Sequence, residues 1–192
     1  MEPQTLSGGF VDPAITSAAA YRQIMEAMAR PGTIHDITGA APPTPLTPAT
    51  GAIILTLCDP DTPVHLTGPL ACDAVRRWVG FHTGAPLVPP SQAMFAVGAW
   101  DNLAPLEAYA IGTPQYPDRS ATLIVQVERL EPQGATLSGP GIKGTHSLSL
   151  PEVEAFQRNA GLFPLGLDFI FTSDDQVAAL PRTTIVTQKG AA

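Results

Sequence analysis

The sequence predicts an α/β fold: one domain over residues 1–192, with a mixed β-sheet flanked by helices in a three-layer-like arrangement. Three observations predict it. Segments with helical periodicity alternate with short runs of branched apolar residues, the pattern of helices packed on a sheet. The run from Ser120 to Leu130, with Leu123, Ile124, Val125 and Val127, reads as a central strand. A length of 192 residues suits one compact unit whose core needs no disulfide or metal.

The elements follow in order. Asp12-Pro13, an N-cap with proline at the first helical position, opens a helix that ends at Arg30-Pro31-Gly32. Tyr21, Ile24, Met25 and Met28 fall on one face, which is taken as the core face. Pro42, Pro43, Pro45 and Pro48 mark an extended connector between Gly39 and Gly51, a loop within the domain. From Thr47-Pro48 to Cys58 the chain is apolar on nearly every side; helix and strand both fit, and the Thr-Pro start signal favours helix. A turn at residues 59–63 leads into a short strand at Val64-His65-Leu66. Pro69 then begins a helix with a stripe of Ala71, Ala74, Val75, Trp78 and Val79, and with Asp73 and Arg77 spaced for an exposed i, i+4 pair. Beyond it the sequence predicts a strand from Ala93 to Val97, a short helix from Leu103 to Ile111 and the central strand. Ala135 to Ile142 is predicted as a strand entering a glycine-rich turn. Ser149-Leu150-Pro151-Glu152 has the form of a capping box for a helix ending at Gly161. Strands from Phe163 to Thr172 and from Val177 to Val186 close the chain.

Composition narrows the function. Charged residues make up 14% of the chain, against roughly 25% in an ordinary soluble domain, while hydrophobic residues at 44% are ordinary. A surface partly covered by other subunits accounts for that shortage, as does an uncharged surface built from the 21 prolines and the threonines. A net charge of −7 argues against nucleic acid and anionic membranes as partners, and an anionic substrate would need a local basic cluster. Met1 to Phe10 has neither the basic start nor the apolar core of a signal peptide, so a cytoplasmic location is expected. Cys58 and Cys72 are read as buried thiols.

The chemical motifs are sparse. His35, His65, His82 and His146 stand singly, without metal-ligand spacing, so no metal is expected. Asp59 and Asp61 are turn residues, because Pro63 and a missing glycine break the calcium-loop pattern. Ser138 to Thr145 fails as a phosphate loop: Lys143 precedes its glycine and Pro140 removes a donor. No Gly-x-Ser-x-Gly elbow occurs. His82, with Thr83, follows a helix and would present an imidazole at its C-terminus, as a cap or as a binding group. Asp168, flanked by Leu167 and Phe169, would be costly to bury unpaired. Arg182, followed by Thr183 and Thr184, supplies a cation and two hydroxyls. The pair is a structural clasp or part of a ligand pocket, and in either case Asp168 and Arg182 should meet across adjacent strands. His82, Thr83, Asp168, Arg182, Thr183 and Thr184 are the candidate binding residues, and no residue is assigned a catalytic role.

Several strings, in order and spacing spanning nearly the whole chain, resemble the H-subunit family of the bacterial carbon-phosphorus lyase system. They are Tyr21-Arg22, Ala27-Met28 and Arg30-Pro31-Gly32; Leu55-Thr56-Leu57 with Asp61-Thr62-Pro63-Val64; residues 81–88 around His82-Thr83-Gly84; Ala121 to Ile124; Phe163 to Asp168; and Pro181 to Thr184. Tyr21 stands where that family tends to have phenylalanine, and both termini are individual. The resemblance implies a subunit that assembles with the G, I and J subunits in a cytoplasmic complex, while leaving a homodimer open for the isolated chain. It implies a complex that displaces adenine from ATP and joins the ribosyl triphosphate to an alkylphosphonate, giving a ribose 1-phosphonate 5-triphosphate. The fold implied is a reduced pyridoxal phosphate-dependent transferase without the cofactor. Lys143 and Lys189 are the two lysines available for a Schiff base, one in a turn and one in the tail. A structural or accessory subunit is therefore expected. The alternative is an independent enzyme using His82, Asp168 and Arg182 on a phosphorylated or phosphonate substrate.

Overall fold

The computed structural model describes residues 6–188; Lys189 and residues 1–5 of the N-terminal segment lie outside them. A six-stranded sheet runs β1 (His35–Asp36), β8 (Gln176–Leu180), β7 (Asp168–Ser173), β4 (Thr122–Gln126), β3 (Phe95–Ala99) and β2 (Val64–Leu66). β2, β3, β4 and β7 are parallel, while β8 pairs antiparallel with both β7 and β1. A second, antiparallel sheet places β5 (Ala135–Ser138) between β6 (His146–Leu148) and β9 (Ile185–Thr187).

Alternation along the strands separates two cores. On β4, Ile124 joins a cluster with α1 (Pro13–Ala29), α2 (Pro48–Leu57) and α3 (Asp73–Thr83), whereas Leu123 and Val125 point the other way. On β7, Ile170 goes with the first cluster, and Phe169 and Phe171 go with the second. The second cluster packs against α5 (Val153–Ala160) and the small sheet, with Phe156 set edge-on to Phe169 at 4.9 Å. The order is thus helices, sheet, then a layer of short helices and the small sheet.

Local chemistry explains the elements. Asp12 caps α1, its Oδ1 accepting from the Ile15 N–H at 3.2 Å, with proline in the first turn. Thr47 caps α2, accepting from the Thr50 N–H, and six residues from Ala49 to Ile54 are buried, so the ambiguous apolar run is a helix. Gly84, at φ 69°, ends α3 in the left-handed conformation that glycine adopts freely.

Several predicted boundaries move. The buried face of α1 is Ala20, Ile24 and Ala27; Tyr21 and Met25 are exposed. Pro69 lies in a 3-10 turn, Gly68–Ala71, and α3 begins at Asp73 after Cys72, which is half-buried. Arg76 Nε donates to the Ala71 carbonyl at 2.7 Å, and among the described residues Asp73 and Arg77 form no ion pair. The helix expected over Leu103 to Ile111 is instead α4 (Trp100–Leu103) and a 3-10 turn, Leu106–Ala108, because Pro105 interrupts it. β5 stops at Ser138, and β6 forms where a loop was expected. Ser149 does not cap α5: its Oγ accepts from the Glu131 N–H at 3.0 Å, and Glu152 occupies the cap position without a side-chain bond to the helix backbone. β7 begins at Asp168, after turns at residues 161–166. The predicted last strand divides into β8 and β9, since Pro181 turns the chain away from the large sheet.

Candidate functional site

Asp168 opens β7 and Arg182 follows β8, and antiparallel pairing of Phe169 with Leu180 brings them together. The Arg182 backbone N–H and Nε donate to Asp168 Oδ1 at 2.8 and 3.1 Å, and Nη2 donates to Oδ2 at 2.5 Å. Nη2 also donates to Ser120 Oγ, and Nη1 donates to the carbonyls of Pro117 at 2.9 Å and Pro164 at 3.5 Å. A guanidinium carries five N–H donors, and these contacts take up all of them. The side chains are 11% and 19% exposed, so the pair is shielded and its charges cancel locally. Chemically, the arrangement joins the Pro117–Ser120 turn, the Pro164 loop and the end of β8, and it offers an anion neither net charge nor a vacant donor.

The other predicted residues lie around or away from this clasp. Thr183 is exposed. Thr184 is 2% exposed, and its Oγ1 has no hydrogen-bond partner among the described residues. His82 and Thr83 are at the end of α3. Thr83 Oγ1 donates to the Val79 carbonyl at 2.7 Å and accepts from the Ala85 N–H at 3.0 Å, closing the helix end. The His82 ring sits 5.0 Å from both Trp78 and Phe81, and its Nε2 is buried without a partner among the described residues. No hydrogen bond or ring contact links His82 to Asp168 or Arg182. The structure therefore brings together Asp168 and Arg182, with Ser120 added, and does not bring His82 to them.

Burial pushes the Cys58 thiol up to about 12, with Asp59 adding to the shift, so this group stays protonated at neutral pH. Among the described residues no three His, Cys, Asp or Glu side chains gather into a metal site.

Two further features escaped the sequence reading. At the C-terminal ends of β4 and β7, Thr50 Oγ1 meets Thr172 Oγ1 at 2.8 Å and donates to Gln126 Oε1 at 3.1 Å. Gln126 Oε1 also accepts from the Thr47 N–H at 3.0 Å, and its Nε2 donates to the Pro45 carbonyl at 2.9 Å. Only Thr47-Pro48 carried a local signal for this network. The second feature is a cavity of about 650 Å³ between residues 100–111 and α5. Trp100 and Leu106 stand on one side and Ala155 and Leu162 on the other, partners too far apart in sequence for spacing to reveal.

Fold and site together define a three-layer α/β protein with a saturated ion-pair clasp and a separate apolar cavity. The family model described as "Bacterial phosphonate metabolism protein (PhnH)" matches residues 8–187. The chain is 41% identical over 194 residues to the "Alpha-D-ribose 1-methylphosphonate 5-triphosphate synthase subunit PhnH" of Rhizobium meliloti (strain 1021), covering 95% of this chain and 96% of the relative. It is 31% identical over 179 residues to the "Putative C-P lyase subunit protein HtxG" of Stutzerimonas stutzeri, covering 90% and 86%. The chain belongs to the PhnH family of bacterial phosphonate metabolism proteins.

Proposed function

We propose that this chain is an accessory subunit of a carbon-phosphorus lyase assembly in phosphonate catabolism. With the G, I and J subunits it takes part in forming a ribose 1-phosphonate 5-triphosphate from ATP and an alkylphosphonate, with release of adenine. The observation that carries this reading is 41% identity, over nearly the full length of both chains, to a relative named as a subunit of the ribose 1-methylphosphonate 5-triphosphate synthase. The saturated Arg182 and its separation from His82 support an accessory role over an independent enzyme, since the two halves of the alternative site do not meet. Exposed Ile15, Tyr21, Met25 and Phe163 supply apolar surface for partners in a chain that is poor in charge.

The same proposal includes the fold relationship. A mostly parallel central sheet covered by helices supports reading the chain as a reduced pyridoxal phosphate-dependent transferase without the cofactor. Lys143, exposed in a turn, suits that reading, because an aldimine lysine works best in a desolvated pocket. Co-expression with the G, I and J subunits followed by size exclusion tests the function. Co-elution in one species is expected, and elution of this chain apart from the others would overturn the proposal.

A further inference from the structure

The cavity between residues 100–111 and α5 takes no part in the clasp. We propose that it is a binding site for a neutral, bicyclic heteroaromatic small molecule bearing a ring N–H. At about 650 Å³ it falls within the roughly 300–1,000 Å³ of small-molecule pockets. Pro105, Leu106, Ile111, Leu162 and Leu167 give it apolar walls. Trp100 gives it a flat one: the indole packs on Phe156 at 4.8 Å, and its Nε1 donates to Glu152 Oε2 at 3.3 Å, so the plane of the ring is set before anything binds.

Polar groups in the lining decide the chemistry of the occupant. Glu152 accepts from Trp100 through one oxygen and from Arg158 Nη2 through the other at 3.2 Å. Two carboxylate oxygens offer about four acceptor positions, so capacity remains for a ligand N–H. Tyr109, 6% exposed, is a lining residue, and its hydroxyl forms no hydrogen bond among the described residues. Burial raises the Tyr109 pKa, which keeps that hydroxyl a donor. The Asn159 amide is unavailable, because it donates to the Leu167 carbonyl and accepts from the Leu167 N–H, both at 2.8 Å. Glu107 and Glu152 outnumber Arg158 in the lining, and Arg158 is already paired. An anion would meet net negative charge there, whereas an uncharged ring would stack on Trp100, give its N–H to Glu152 and accept from Tyr109.

The test uses the full chain alone, so its result is independent of assembly with partners. Indole and benzimidazole serve as neutral probes and indole-3-propionate as the anionic counterpart, followed by calorimetry and ligand-observed NMR. Saturable one-site binding of both neutral probes is expected, with indole-3-propionate about tenfold weaker or worse. Ala155→Leu, which fills the cavity from α5, should abolish binding. Tyr109→Phe should weaken benzimidazole, whose second ring nitrogen accepts a hydrogen bond, about threefold to tenfold, and should leave indole, which has no such acceptor, nearly unchanged. If Ala155→Leu fails to fold by circular dichroism, the contrast between the two probes in Tyr109→Phe decides. No saturable binding in the millimolar range, equal affinity for indole-3-propionate, or a Tyr109→Phe variant that treats both probes alike would each overturn the proposal.

Discussion

Arg182 reaches three segments that are distant in sequence: the Pro117–Ser120 turn, the Pro164 loop and Asp168 at the head of β7. Planarity and five fixed donors let one side chain do this; an ammonium offers three donors from a single point. Arg182→Lys therefore keeps the charge but loses the carbonyl contacts, and it should destabilise the fold by about 2–3 kcal/mol. Asp168→Asn leaves a shielded guanidinium without its counter-charge and should cost a similar amount. For a chain of this length each kcal/mol lowers Tm by about 2–4 °C, so thermal unfolding followed by circular dichroism should show both variants melting about 4–12 °C early. A variant that keeps the parent Tm but fails in the assembled reaction would instead assign the pair to ligand binding. The Asp168–Arg182 meeting was legible because each residue is a charge inside an apolar run, which demands a partner. Ser120 was not, since a serine in a loop carries no such demand.

The same division between local signal and distant partner holds for the elements. α1 and α2 were legible from Asp12-Pro13 and Thr47-Pro48, where one or two residues determine the backbone, whereas Gly84, the residue that ends α3, escaped the sequence reading. The Ser149–Glu152 spacing misled because Ser149 finds a better partner in the Glu131 N–H, a contact no window of sequence contains. The division between β8 and β9 follows from Pro181, yet apolar residues on both sides mask it. α2 shows what such tertiary contacts are worth. Its fully buried Thr50 hydroxyl binds Thr172 and Gln126, tying the helix start to the ends of β7 and β4. Thr50→Val keeps the shape, removes the hydroxyl and leaves these partners short of one bond, which should cost about 1–3 kcal/mol. Thr172→Val should act through the same network. In a double-mutant cycle the two losses should therefore fall short of additive by at least about 0.5 kcal/mol, and full additivity would show that the contact contributes nothing by itself.

The shortage of charge acquires a location at the scale of the whole molecule. The face of α1 opposite Ala20, Ile24 and Ala27 carries Ile15, Ala18, Ala19 and Met25, all exposed, with Arg22 as its central charge. A helix this apolar on its outer side is ordinarily covered. Its small residues at positions 18 and 19 would let another backbone approach closely. If this face meets a partner subunit, the charged double variant Ile15→Glu/Ala18→Glu should fold as the parent does, because both positions are exposed and glutamate is a good helix former. The same two carboxylates would be stranded in a desolvated interface, where each costs several kcal/mol. Co-elution with the G, I and J subunits should then be lost while Tm stays within about 4 °C of the parent, the shift expected for a change of about 1 kcal/mol. An intact assembly formed by the double variant would place the partner contact elsewhere, with the Leu162–Phe163 turn beside the cavity as the next exposed apolar surface. Because the variant changes no residue of the clasp or the cavity, loss of assembly would be assignable to the α1 face alone.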